Sequence, residues 1–195
     1  MNRLLLLTFS FLTLVSYSQK RISQESSLEI ITKAYEFQTE EKYEDALTEY
    51  AKINLNDTNY AAAQYESGSC YIDLKKYSDA REVLRELLSS GVKFKFQNDV
   101  YSSIGYSYMK EGDSLSALKV FNDGIAKYPM DFRLHFNRGS ANEALGNYQE
   151  AYQDYKNSIQ RNIYFESSHY RIAMLAANEE HYAEATLSLI TYLLN

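Results

Sequence analysis

Proline is almost missing from this chain, one in 195 residues, and glycine is scarce at seven. Sandwiches and barrels turn often and tightly on those two residues, so an antiparallel β architecture is excluded. Cysteine occurs once, as Cys70, so no intramolecular disulfide can form. Positive charge is in deficit: 20 Lys and Arg against 26 Asp and Glu leave a net charge of −6, which offers a phosphate backbone no broadly basic surface and argues against a nucleic-acid partner. Plentiful Ala, Leu, Glu and Lys, with 45% apolar residues, describe a globular all-helical chain.

The only long apolar run is at the start. Met1-Asn2-Arg3 is a short positive stretch, and Leu4 to Val15 is an apolar run of 12 residues, below the roughly 18 that a membrane-spanning helix needs. Ser16 and Ser18 are small residues at −3 and −1 of a cleavage site before Gln19. Residues 1–18 therefore read as an export signal and 19–26 as a short N-terminal segment. Cleavage leaves 195 − 18 = 177 residues, and since the lost piece carries one Arg and no acid, the net charge becomes −7. No cysteine lies at the cleavage site to carry a lipid, and no second run of membrane length follows, so the product is expected to be exported without a transmembrane anchor, to a periplasmic or extracellular location.

The remainder repeats itself. Tyr-x-x-Ala recurs at Tyr43–Ala46, Tyr77–Ala80, Tyr148–Ala151 and Tyr182–Ala185, with Ser114–Ala117 as a degenerate copy, so the alanines are spaced 34, 37, 34 and 34. Twelve residues before each alanine stands Gly or Ala: Ala34, Gly68, Gly105, Gly139 and Ala173. Four residues after each comes a large side chain: Tyr50, Leu84, Phe121, Tyr155 and Leu189. This pattern predicts two antiparallel helices per repeat, in close approach at the small residue, with the large residue filling the seam to the next repeat. Lys110–Ser114, Gly146-Asn147 and Tyr128-Pro129 carry breakers where helices must stop. No single pair covers both its faces, so stability must come from stacking.

In these features the chain resembles the tetratricopeptide repeat family, most fully in the third repeat, where Tyr101, Ile104, Gly105, Tyr108, Ala117, Phe121 and Pro129 match the pattern. The resemblance implies a right-handed α-solenoid of about five repeats, at 27–60, 61–97, 98–131, 132–165 and 166–195, forming one domain over 27–195. Charged Lys33 and Arg138 replace the apolar residue of position 7, and Asn142 replaces the aromatic of position 11; these are expected to weaken their repeats. Three extra residues in the second repeat fall within 91–97, Gly-Val-Lys-Phe-Lys-Phe-Gln, and read as a spacer. Acidic residues are dispersed and read as a solvated surface.

The family lines its concave surface with the first helix of each pair. The matching positions hold Tyr35, Tyr65, Tyr106, Met109, Phe136, Asn137, Tyr170 and Arg171, an aromatic groove with a few polar points suited to a peptide or helix of a protein partner. The family's carboxylate clamp would fall on Ser102, Tyr106, Asn137, Ser167 and Arg171, and both of its lysines are missing. His135 and His169 share position 4, one repeat apart, where the family places an aromatic; without further ligands at fixed spacing they read as structural rather than zinc-binding. Cys70 reads as a small buried residue, and no nucleophile elbow, phosphate loop or dinucleotide fingerprint is present. No enzyme, cofactor or metal is indicated. The functional expectation is an interaction module, with self-assembly into an envelope component or glycan recognition as alternatives. Ser188 to Asn195 still lies in the second helix of the last repeat and is apolar, so a homo-oligomer through this uncapped end is also expected.

Overall fold

The structure is a computed structural model that describes residues 26–178 together with 187, 190–192 and 194. The proposed export signal and Tyr182–Ala185 lie outside the described residues. Among those described, helices follow one another without a strand: α1 (26–39), α2 (Tyr43–Tyr50), α3 (Tyr60–Asp73), α4 (Tyr77–Ser89), α5 (Gln97–Lys110), α6 (Ser114–Lys127), α7 (Phe132–Ala144), α8 (Tyr148–Arg161) and α9 (Glu166–Asn178). Each packs on the next, α3 on α4, α5 on α6, α7 on α8, and the pairs stack in sequence order. First helices of successive pairs also touch, α3 with α5 and α5 with α7. The chain is an α-solenoid curved around its first helices, as the repeat pattern predicts.

The two helices of a pair are joined by one device used four times. The backbone passes through the left-handed region at Glu41, Lys75, Gly112 and Gly146, all at repeat position 15. The next amide then reaches back to the carbonyl five residues earlier: Lys42 to Phe37 at 2.8 Å, Lys76 to Tyr71 at 2.8 Å, Asp113 to Tyr108 at 3.0 Å and Asn147 to Asn142 at 2.9 Å. This is the closing bond of a Schellman motif, which satisfies carbonyls orphaned at the helix end. Asp113 and Asp131 cap the following helices by accepting amide hydrogens from Ser116 and from Arg133 and Leu134.

Inside each pair the small residue of position 8 is a notch. A Cβ on Gly105 would overlap the Phe121 ring; on Gly68 it would lie 2.6 Å from Leu84, and on Gly139 2.8 Å from Tyr155. Phe121, Leu84 and Tyr155 are the bulky residues of position 24, and all three are buried. The large residue thus seats first in its own repeat rather than simply filling the seam to the next.

Two features carry more structure than the sequence pattern expects, because each finds a partner inside the fold. Lys33, at position 7, bonds Glu49 at 2.7 Å, and Arg138, at the same position three repeats later, grips Asp154 through Nε at 3.1 and 3.0 Å and through a terminal nitrogen at 2.6 Å. Glu49 and Asp154 both stand at position 23 and are buried, so these acids belong to the interior and not to the solvated surface. In the third repeat the same two places are taken by Ile104 and Val120. The charged residues therefore exchange an apolar contact for an ion pair. The inserted segment is likewise more than a spacer: Val92, Phe94 and Phe96 pack against the core while Lys93 and Lys95 are exposed.

Two substitutions probe these contacts. Gly105→Ala should lower stability by about 1–3 kcal/mol in denaturant unfolding, because the Phe121 ring has no free space to yield. Arg138→Ile alone should cost up to about 3–5 kcal/mol by stranding buried Asp154, whereas Arg138→Ile with Asp154→Val should recover most of that loss.

Candidate functional site

Curvature puts the side chains of α3, α5 and α7 on the inner surface, and between these helices lies a cavity of about 370 Å³. Tyr65, Tyr106, Phe136 and Asn137 line it, as the groove reading requires, together with Asp99, Ser102, Ser103, Arg133 and Phe165. Its aromatic walls are held by ring contacts. Tyr65 lies 5.3 Å from Phe96 of the inserted segment, and Phe136 meets Phe165 edge-on at 5.0 Å and Tyr155 at 5.4 Å. Tyr106 is freer, 45% exposed, with the Lys110 ammonium 5.0 Å above its ring.

The other four expected groove residues do not line this cavity. Tyr35 and Tyr170 are exposed, at 57% and 42%, and lie beyond this cavity; Tyr170 packs at 5.7 Å on Tyr192. Met109 is half-buried against the core formed by Ala117, Phe121 and Leu134. Its position faces the second helix, which is why an apolar side chain stands there. Arg171 is not a free polar point. It pairs with Glu143, donating through Nε at 3.0 Å, while Glu143 also accepts from the Tyr155 hydroxyl at 2.7 Å. That pairing also removes the arginine a carboxylate clamp would use.

Sequence reasoning missed Asp99 and Phe165. Arg133 reaches Asp99 at 2.8 Å, and burial raises the Asp99 carboxyl above its ordinary range although Arg133 opposes it. Phe165 precedes α9 rather than lying on a first helix, so no helix-position rule finds it. The signal available was Phe132, at the start of α7 in the same repeat, which contacts it at 4.8 Å.

The remaining reactive groups are engaged in the fold. Cys70 is buried, and burial pushes its thiol up to about 12. His135 donates through Nε2 to the Pro129 carbonyl at 3.0 Å, and His169 shares a bond of 2.8 Å with the Ile163 carbonyl, so each ties a first helix to the loop before it instead of facing the other. Among the described residues no three His, Cys, Asp or Glu side chains converge as a metal would require, and no helix is long and apolar enough to cross a membrane.

An inner surface assembled from stacked helix pairs defines a repeat protein of the α-solenoid class. The Tetratricopeptide repeat profile matches residues 31–92 and 103–162, more than half of the sequence, and the chain belongs to that family. Among solved structures, the crystal structure of MamA superposes with a TM-score of 0.68 at 18% identity, over 82% of this chain and 92% of that one. MamA 41-end from Desulfovibrio magneticus RS-1 does so with 0.68 at 14% identity, over 86% and 93%. At such identities the likeness is one of fold. No curated protein matches the sequence.

Burial lowers the His135 pKa below its ordinary 6.5, with the Arg161 and Arg138 charges acting in the same direction and the Pro129 carbonyl and Asp154 opposing. The folded state therefore prefers neutral His135. Its contribution is complete above about pH 6.5 and is lost as pH falls through the depressed folded value. Thermal unfolding from pH 7 to 5 should show a smaller acid-side loss in His135→Phe than in the parent.

Proposed function

We propose that the protein is an exported, non-catalytic interaction module that holds a peptide or helix of a protein partner on the inner surface of its solenoid. The observation carrying this reading is the cavity between α3, α5 and α7, which combines aromatic walls at Tyr65, Phe136 and Phe165, an accessible Tyr106 and the polar groups of Asn137, Asp99 and Arg133. Aromatic rings supply contact area at small conformational cost, and a few polar groups set register and direction, as peptide recognition requires. Membership of the tetratricopeptide repeat family supports the same reading. Export rests on residues 1–18, and it places the partner in the periplasm or outside the cell.

Self-association is a second reading, favoured by the exposed apolar side chains Leu187 and Leu194 of the fifth repeat and Ile163 and Tyr164 of the loop that precedes it. The two readings separate by experiment. Tyr106→Ala with Asn137→Ala changes the inner surface and spares the ring contacts of Tyr65 and Phe136, so the variant should keep the parent's circular dichroism and unfolding midpoint. In crosslinking and affinity capture from the envelope fraction it should lose a protein that the parent retains. If parent and variant capture only further copies of the chain, the inner-surface reading fails and self-association stands.

A further inference from the structure

A larger cavity, about 460 Å³, opens away from the inner surface, between the second helices α6 and α8 and over α7. Its volume is in the range of small-molecule sites, roughly 300–1,000 Å³. The equivalent groove one repeat earlier, over α5, holds about 340 Å³ and has Ile104, Tyr108 and Val120 in its floor. Here the same three places are Arg138, Asn142 and Asp154. The ion pair by itself does not make a site, since Lys33 and Glu49 repeat it in the first pair, where aromatic Phe37 keeps position 11 half-buried. What sets this repeat apart is Asn142, a short amide where three earlier repeats have Phe37, Tyr71 and Tyr108.

The floor is fixed and electrically balanced. Arg138 holds Asp154 through Nε and a terminal nitrogen and donates to Asn122 Oδ1 at 2.8 Å, while Asn142 donates to Asp154 Oδ2 at 3.0 Å. Asn142 and Asp154 are both buried. Around the mouth stand Gln153 and Asn157, whose carboxamides each present a donor and an acceptor. An anion would face Asp154 and, at the mouth, Glu150; a cation would meet Arg138 in a floor whose one acid, Asp154, is already taken; and an apolar group would find only Leu118. A peptide main chain could use the amides, but its side chains would lack the apolar pockets that anchor such segments.

From this lining we infer that the outer cavity over the Arg138–Asp154 pair is a saccharide-binding site for one or two sugar rings, whose hydroxyls both donate and accept. It is separate from the inner surface and from the tyrosines there, and it holds whether or not a peptide binds inside.

The test is a nuclear magnetic resonance titration of the isotope-labelled protein with maltose, cellobiose and N,N′-diacetylchitobiose at millimolar concentration, with trialanine as the peptide control. At least one disaccharide should shift the side-chain amide signals of Gln153 and Asn157. Asn142→Tyr restores the aromatic of the three earlier repeats, narrows the cavity and removes the buried amide from its floor; it should remain folded and weaken that binding by about tenfold or more. Gln153→Ala, at an exposed rim position, should weaken it as well and provides the comparison if the tyrosine variant unfolds. The inference is overturned if no disaccharide moves those signals, if the shifts persist undiminished in both variants, or if only trialanine produces them.

Discussion

The close approach of two helices at one small residue is the contact on which this molecule depends. Gly68, Gly105 and Gly139 leave the room that Leu84, Phe121 and Tyr155 occupy, and each of these three pairs is locked by one large side chain in one notch. Dense packing makes such a joint stiff, since neither backbone nor ring has anywhere to move. Pair geometry is therefore nearly constant, and the curvature that creates an inner surface is the accumulated angle between nearly identical units. What lines that surface is then left to positions the joint does not use.

That division explains what could be read in advance. Spacing of Gly or Ala, then Ala, then a bulky residue is a local chemical demand, so the fold was legible from composition and period. The inner-surface residues were legible only as positions. Tyr65, Tyr106, Phe136 and Asn137 converge because α3, α5 and α7 are adjacent, whereas Met109 turns to the core and Arg171 is taken by Glu143. Phe165 was hidden because it belongs to a loop, and Asp99 because its interest lies in its neighbour Arg133.

The ion pairs on the buried acids Glu49 and Asp154 are legible only when positions 7 and 23 are compared between repeats. In three of the five repeats positions 7 and 23 are matched, lysine with glutamate, isoleucine with valine and arginine with aspartate, while the second and fifth carry Ser67 with Val83 and Ile172 with Ser188. Each charge looks anomalous alone and reasonable beside its counterpart sixteen residues on. A long repeat protein offers several internal comparisons of this kind, and matched exchanges between its copies report contacts that a single copy conceals.

The turns at position 15 differ in a way that bears on the behaviour of the whole solenoid. The first two are made by Glu41 and Lys75 in the left-handed region, and the later two by Gly112 and Gly146. A side chain there costs on the order of 1 kcal/mol that glycine avoids. The same hairpin is thus made at unequal cost along the molecule: its first two turns hold a side chain in a backbone region that the third and fourth enter freely, so glycine at 41 or 75 is a substitution the fold would accept without moving a helix.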